Sequence, residues 1–362
     1  MADSTSYLPP EIIENILLRL PAKSLLRFKA VSKSWNTVIA DPVFVQNHIR
    51  QSKHSNSDNL FLCPNTYPIP VVKLGDKKIQ TLQRIESRYA RWPELCFCDG
   101  VILLTDTTYM RFALWNPSTR TSKNLWHKYS CPDAAFGLCR DPATDDFKVV
   151  IADLDYYSVY SCWNKSWIML KKKYDTKYTG LGVKIGNNNM GVCVDGASYW
   201  LWSNDNATQI ELVYFDPRDD EFKNLHMPEN IADANQKFTY AVELKGCLCV
   251  YYNGMDESRI QIWTKEKGID GHSWKVLITV ENVGMSIWAF QPLCFVGDKI
   301  VVWKRGLLRR VLLVYIPSEK RFEEFEKNTV GIFDYPIPYI DSIFFPTEKP
   351  RPKTKRERKF LQ

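Results

Sequence analysis

The first fifty residues carry apolar side chains with the period of an α-helix. A first helix is predicted to begin at Pro9–Pro10, where a missing backbone N–H costs nothing. It should end at Pro21, whose ring clashes with the preceding turn. Three more short helices follow, the third capped by Ser32 and the fourth by Asp41. The apolar positions of the first helix are Ile12, Ile13, Ile16, Leu17 and Leu20.

This helical segment has more large apolar side chains than its own small core can hide. A segment of about fifty residues rarely buries enough surface to be stable alone. Fully burying one large apolar side chain contributes roughly 1.5–3 kcal/mol, so a few of them suffice for a lasting contact. The pattern leaves two alternatives open. The segment is either a cap on the rest of this chain or an apolar surface for another protein.

Beyond Leu60 the pattern changes from helical to strand-like. Short runs rich in Val, Ile, Tyr, Trp and Phe are separated by Asp-Gly, Asn-Pro and Asp-Pro turns, which is typical of an all-β domain. A strand that ends in a polar turn recurs roughly every 45–55 residues, the spacing of propeller blades. Its instances cover residues 112–117, 158–163, 212–217, 260–263 and 312–317.

A second strand element alternates with the first, and together they predict four-stranded blades. Five repeats are visible, residues 60–63 and 71–74 supply strands of a sixth, and residues 340–344 are predicted to close the ring. A β-sandwich is the alternative, but it gives no reason for a repeat of this length. The second element covers residues 99–104, 147–151, 195–201, 245–250 and 297–303.

The chain is therefore predicted to be an α+β protein in two parts. Residues 1–50 form a small all-α domain and residues 51–59 a polar linker. Residues 60–345 form an all-β, propeller-like domain of six blades, and residues 346–362 a basic tail. Within residues 348–362, seven Lys or Arg stand against two Glu, which supplies most of the net charge of +7. The remaining body is near neutral, so no nucleic-acid surface is expected.

The lack of a membrane span or secretory signal, together with the spacing of the cysteines, points to a reducing compartment. No apolar run reaches the roughly 18 residues of a membrane span, and residues 1–6 lack the features of a secretory signal. We therefore expect no membrane contact and a cytoplasmic or nuclear location. The ten cysteines include no CxxC pair and no zinc spacing. They are predicted to be reduced, structural thiols.

No catalytic, metal-binding or cofactor-binding residue is predicted. None of the five histidines stands at ligand spacing from a Cys, Asp or Glu, and neither HExxH nor GxSxG occurs. Each histidine is expected at the surface or in a turn. The acidic clusters at 145–146 and 219–221 are expected in strand-connecting turns, where Asp is favoured for local hydrogen bonds.

Two clusters of aromatic and basic residues fall between predicted strands, where binding residues concentrate. We interpret both as target-facing loops; the alternative for each residue is an ordinary solvated loop. The first contains Arg88, Tyr89, Arg91 and Trp92, and the second contains Tyr156 and Tyr157.

The stretch LPPEIIENILLRLPAKSLLRF from Leu8, followed by VSKSW from Val31, closely resembles the F-box of plant F-box proteins. In that family the F-box docks on the Skp adaptor of an SCF ubiquitin ligase. The resemblance covers about forty residues without a gap. It implies an adaptor contact at Leu8, Pro9, Ile12, Ile16, Leu20, Pro21, Leu25, Val31 and Trp35.

The β region is similar to the plant F-box-associated domain, which resembles kelch propellers. Its signature is FGLCRDPATDDFKVV at 136–150, preceded by LWNPSTR at 114–120. Cys139 and Arg140 depart from the usual Gly-aromatic pair, which leaves the local turn in question. The motifs FKNLHMP at 222–228, IWTK at 262–265 and SW at 273–274 are similar to the S-locus F-box branch.

These resemblances imply a non-catalytic substrate receptor of an SCF-type ligase. The partners would be the Skp adaptor, through it a cullin-RING ligase, and a target protein held by the β domain. The S-locus likeness suggests a ribonuclease as that target. Two alternatives remain: a propeller enzyme, which needs converging polar residues on one face, and an F-box scaffold that does not direct degradation.

Overall fold

The computed structural model describes residues 8–54, 60–64, 66–75, 78–89, 92–153, 156–171, 189–203, 210–228, 239–253, 258–304, 311–325 and 336–346. Within these ranges the chain forms a four-helix head followed by a six-bladed β-propeller, which confirms the predicted architecture. The helices of the head are α1 (Pro10–Leu18), α2 (Ala22–Phe28), α3 (Lys33–Ala40) and α4 (Pro42–His54).

The caps of the head follow from side chains read in the sequence. The Ser32 hydroxyl accepts a hydrogen bond from the Trp35 backbone N–H at 3.1 Å. Asp41 accepts one from the Val43 backbone N–H at 2.7 Å, which satisfies a donor that α4 leaves unpaired. Helix α4 then runs to His54, four residues into the stretch whose composition predicted a linker. The core of the head is formed by Leu17, Ala22, Leu25, Ile39 and Phe44.

Each blade is an antiparallel sheet of four strands. Blade 1 contains β24 (Ile337–Pro338), β1 (Leu60–Leu62), β2 (Ile69–Leu74) and β3 (Ile79–Ile85). Blade 2 contains β4 (Glu94–Cys98), β5 (Val101–Thr105), β6 (Arg111–Asn116) and β7 (Thr121–Trp126). Blade 3 contains β8 (Ala135–Arg140), β9 (Phe147–Ala152), β10 (Tyr156–Ser161) and β11 (Ser166–Lys171).

The remaining three blades are built in the same way, and in each of them strands that follow one another in the chain are neighbours in the sheet. Blade 4 contains β12 (Val192–Val194), β13 (Ala197–Ser203), β14 (Ile210–Asp216) and β15 (Glu221–Leu225). Blade 5 contains β16 (Thr239–Leu244), β17 (Cys247–Asn253), β18 (Ile260–Lys265) and β19 (Trp274–Val280). Blade 6 contains β20 (Phe290–Val296), β21 (Lys299–Lys304), β22 (Val311–Ile316) and β23 (Arg321–Glu324).

The ring is closed within blade 1, where the two ends of the domain pair. Phe61 pairs with Pro338 and Leu62 with Ile337, in antiparallel register. The prediction that residues 340–344 are the closing strand is therefore wrong. Those residues follow the closing strand and pack between the propeller and the head, so their apolar pattern reflects burial at that junction rather than strand pairing.

The histidine and cysteine expectations need correction. His48 is buried within α4 rather than at the surface or in a turn, whereas His127 lies in the β7–β8 connection as expected, although it too is buried. Eight cysteines are free, but Cys98 of β4 and Cys193 of β12 are joined by a disulfide, with Cα atoms 5.5 Å apart. The two residues are 95 positions apart, so sequence spacing could not indicate that the inner strands bring them together. Among the helices described, none is both long enough and apolar enough to cross a lipid bilayer.

Candidate protein-interaction sites

The head has two faces, and one of them packs against the propeller. The Ala22 backbone N–H donates to the Asp341 carboxylate at 2.9 Å, and the Ser52 hydroxyl donates to the Asp341 carbonyl at 3.1 Å. Ile343 packs into the core of the head, while Phe344 packs into the propeller core. Residues 341–344 therefore join the two parts of the chain.

A partly buried ion network strengthens this junction. The Lys53 ammonium lies 2.8 Å from Asp99, and the Arg140 guanidinium reaches both Asp99, at 3.2 Å, and Asp145, at 2.6 Å. The Gln46 amide also donates to Asp145, at 3.1 Å. Burial opposes ionisation of Asp99, but Lys53 and Arg140 outweigh it and hold the pKa of that carboxyl below its usual value.

The propeller supplies its side of the junction through tight turns. Asp99 and Gly100 connect β4 to β5, both at positive φ, and the φ of Gly100 is 84°. A Cβ atom on Gly100 would lie 2.7 Å from the Cβ of Ser342 and 2.9 Å from the carbonyl oxygen of Ile340. Glycine is thus required here both by the backbone conformation and by the close approach of residues 340–342.

The other face of the head is apolar and open. Ile12 and Ile16 lie four residues apart on one side of α1, and the exposed Leu8 stands two residues before the helix; we call these three residues the stripe. Ile12 is 45% exposed and Ile16 is 49% exposed, whereas Leu17, on the opposite side of the same helix, is buried. Leu26, Val31 and Val43 are also exposed on the head. The sequence left two alternatives for the head, a cap on the rest of the chain and an apolar surface for another protein. In the structure each alternative describes one face of the head.

The nine residues expected at the adaptor contact differ in exposure. Six are exposed and two, Leu20 and Trp35, are partly buried. Leu25 has no exposed surface, because it lies in the core of the head. The sequence motif therefore combines residues that face outward with one that holds the helices together. The exposed six are Leu8, Pro9, Ile12, Ile16, Pro21 and Val31.

We call the side of the propeller away from the head the far face. The head contacts the β4–β5 and β8–β9 turns, so the far face carries the opposite strand ends, including the β3–β4, β7–β8 and β9–β10 connections. Both clusters predicted to face a target begin at these connections. In a propeller, such connections are free to vary without disturbing the blades.

The first cluster is partly structural. The Tyr89 hydroxyl donates to the Asn124 side chain at 2.8 Å, and its ring is buried between blades 1 and 2. The exposed Arg88 guanidinium donates to the Tyr89 hydroxyl at 2.7 Å, and the half-buried Trp92 packs edge-on against the Tyr89 ring. Arg91 lies outside the described residues. Tyr89 therefore positions its neighbours rather than presenting its own surface.

The second cluster divides in the same way. Tyr156 is 49% exposed at the start of β10. Tyr157 is buried between blades 3 and 4, where its hydroxyl donates to the Asp220 carbonyl at 2.8 Å. Adjacent strand residues point to opposite sides, so the pair cannot share one surface.

The described residues that most resemble a catalytic set surround His127. Its Nε2 lies 3.1 Å from the Ser158 hydroxyl, and its Nδ1 lies 3.6 Å from the Cys131 sulfur. Burial raises the pKa of the Cys131 thiol to about 11, so the thiol stays protonated, and both Cys131 and Ser158 are buried and inaccessible to a substrate. In the described part of the chain, no group of three His, Cys, Asp or Glu residues could hold a metal ion.

Two known families match this chain. The F-box domain matches residues 6–47, and the F-box associated beta propeller domain matches residues 73–344. The chain belongs to the F-box-associated β-propeller family. The head is its F-box, and the inferred resemblance to plant F-box proteins is confirmed at this level.

Its relatives include plant F-box proteins that it matches over most of their length. The F-box protein CPR1 of Arabidopsis thaliana is 26% identical, over 92% of this chain and 86% of that protein. An F-box/kelch-repeat protein of the same plant is 24% identical, over 95% of this chain and 97% of its own length. Among solved structures, TolB from Acinetobacter baumannii has a TM-score of 0.42 at 12% identity, covering 80% of this chain and 71% of TolB. The propeller is defined by its own strand pairing, six antiparallel sheets of four strands each in the described part of the chain.

Sequence reasoning missed several residues that build these surfaces. Lys53 fell in the supposed linker, and Asp341 was assigned to a strand, although both hold the F-box on the propeller. Val43 was read only as part of a helix, yet it is 64% exposed and adds to the apolar surface of the head. The departure at Arg140 was one available signal, since this residue stands where the family usually has an aromatic residue and forms the centre of the ion network.

Proposed function

We propose that this protein is the substrate-receptor subunit of an SCF-type ubiquitin ligase in the cytoplasm or nucleus. The observation that carries the proposal is the open apolar stripe of Leu8, Ile12 and Ile16 on the F-box. This stripe is exposed and contributes none of the junction contacts described above, so a Skp adaptor can cover it without disturbing the junction. Covering three half-exposed aliphatic side chains contributes roughly 2–4 kcal/mol to the contact.

The far face of the propeller would hold the target. The ion network and residues 341–344 fix the F-box on one side of the propeller, which leaves the opposite connections free. A rigid link between the two surfaces holds a bound target at a defined position relative to the ligase. Its effect is a raised effective concentration of target lysines at the transfer site.

In this proposal the chain itself performs no chemistry. Transfer of ubiquitin takes place on other subunits, reached through the adaptor and a cullin-RING ligase. This division of labour is consistent with the inaccessible His127 cluster. Binding and orientation are what its own residues supply.

The finer assignment concerns the target. The S-locus likeness in residues 222–228 and 262–274 supports a ribonuclease as a candidate. Direct titration of the full chain with a purified stylar ribonuclease tests this point separately. Absence of saturable binding would reject the ribonuclease and leave the receptor role in place.

The receptor role is tested by reconstitution. The full-length chain is mixed with a purified plant Skp adaptor, and the complex is isolated by size-exclusion chromatography. We expect a 1:1 complex for the wild type and its loss for Leu20→Asp. A companion ubiquitination assay with the assembled ligase separates a receptor from a scaffold that binds the adaptor without directing modification. No complex with the wild-type chain would refute the proposal.

A further inference from the structure

The innermost strands of the blades surround a cavity on the propeller axis. Its volume is about 90 Å³, and five of the six inner strands contribute to its wall. A cavity of roughly 150 Å³ holds one benzene ring. The axial cavity therefore fits a smaller group, such as one aliphatic side chain, and not a cofactor. Its apolar wall includes Phe97, Met190, Val242, Leu293, Trp303 and Ile337.

One carboxyl group in this wall lacks a counter-ion. Glu94 lines the cavity, and among the described residues its carboxyl has no ion pair and only its own backbone N–H as a hydrogen-bond donor. Burial raises the pKa of Glu94 to about 7. Asp216 provides the contrast, because it is held by Arg218 at 2.8 Å and Lys223 at 2.7 Å. A carboxylate in an apolar wall is costly unless a cation approaches it.

The position of Glu94 indicates where that cation would come from. Glu94 begins β4 on the far face, and β4 ends at the Asp99 turn beside the F-box. At the F-box end of the cavity Lys53 already supplies a cation. Burial alone would lower the pKa of Lys53, but the carboxylates of Asp99 and Glu243 outweigh burial and raise it. A partner of Glu94 must therefore enter from the far face, where the target is proposed to bind.

We propose that the axial cavity accepts one lysine side chain of the target, whose ammonium pairs with Glu94. The four-carbon stem of lysine would pack against the apolar wall, including Phe97 and Met190, as such stems do on other apolar surfaces. This inference rests on the proposed receptor function and names a recognition element of its target. Specificity would come from the buried charge pair, because a neutral side chain leaves Glu94 without a partner.

The test uses the full-length chain and two peptides, acetyl-Ala-Val-Lys-Val-Ala-amide and the same peptide with norleucine in place of lysine. Calorimetry is performed at pH 8, where Glu94 is ionised. We expect the lysine peptide to bind at least tenfold more tightly than the norleucine peptide. Glu94→Gln should remove this preference. Glu86→Gln, the same change at an exposed far-face residue outside the cavity, should keep it.

A second readout follows the carboxyl itself. Carbon-13 NMR of Glu94 should give a pKa near 7 in the free chain and a lower pKa when the lysine peptide is bound. Cys96 and Glu243 are the other titratable groups in the cavity wall, and Glu243, Asp99 and Asp195 act electrostatically on Lys53 at the F-box end. The Cys96 thiol does not titrate near pH 7, because burial raises its pKa well above the usual value.

Three outcomes would overturn the inference: equal binding of both peptides, no saturable binding of either, or a preference that survives Glu94→Gln. Adaptor binding is measured in parallel on every variant. Glu94 lies at the far face and the adaptor stripe lies on α1, so adaptor binding should not change. Failure of the lysine inference therefore leaves the receptor function intact, whereas loss of adaptor binding in the wild type would reject the receptor function itself.

Discussion

Ile16→Asp tests the adaptor surface most directly. Ile16 is 49% exposed, so the substitution leaves the carboxylate in water while the chain is free, and the head should remain folded. In the complex the same position would be covered. The lost burial of the exposed half of the isoleucine costs roughly 0.7–1.5 kcal/mol.

The carboxylate adds a larger cost. Covered without a cation, it must bind a proton, and raising an aspartate pKa from about 4 to 7 costs roughly 4 kcal/mol at neutral pH. Partial exposure at the edge of the contact reduces this figure. We therefore expect a total loss of about 3–5 kcal/mol, which corresponds to a Kd weakened by about 10²–10⁴-fold.

The assay is calorimetric titration of the full-length chain with a purified plant Skp adaptor. Ile168→Asp is the matched control, since Ile168 is 45% exposed on β11 of the propeller, away from the head. Its Kd should stay within threefold of the wild type. An Ile16→Asp variant that remains folded by circular dichroism and binds within threefold of the wild type would refute the reasoning.

Three further predictions concern the propeller and its junction. Gly100→Ala should lower the free energy of unfolding by about 2 kcal/mol or more, and Gly246→Ala by about 1 kcal/mol. Both glycines have positive φ, but only at Gly100 would the added Cβ collide with neighbouring atoms, those of Ile340 and Ser342. Equal losses for the two variants in urea unfolding would contradict this reasoning. Glu94 has a folded-state pKa raised to about 7 from 4.5, so its stabilising effect is complete below about pH 4.5 and is lost as pH rises to 7. The free energy of unfolding of Glu94→Gln minus that of the wild type should therefore rise by up to about 3 kcal/mol between pH 4.5 and pH 8. A difference that does not change with pH would contradict the raised pKa of Glu94. Asp99→Asn should cost about 2–4 kcal/mol by leaving Lys53 and Arg140 without their shared partner. Because the Asp99 pKa is lowered, the stability that Asp99 contributes should be present above about pH 4 and be lost below it. Amide hydrogen exchange in α4 should be faster in Asp99→Asn than in the wild type. Unchanged exchange would contradict the role of Asp99 in the junction.

The amino-acid sequence by itself determined the elements and their repetition. Helical spacing in residues 8–45 and turn-bounded strands every 45–55 residues are local patterns, and local backbone preferences produce the same elements in the structure. The F-box motif also identified the adaptor residues as a set. It could not separate them, because Ile16 and Leu25 are equally apolar and only packing makes one exposed and the other buried.

The tertiary structure decided what meets across the chain. Asp341 and Ala22 are 319 residues apart, and no pattern along the sequence predicts that one would accept a hydrogen bond from the other. The same holds for Lys53, Asp99 and Arg140, whose charges look like those of ordinary surface residues until the junction brings them together. Glu94 is one acid among many in the sequence, and only closure of the ring places it in an apolar cavity. Periodicity records which side of an element is buried, whereas the identity of the neighbour depends on how distant elements pack.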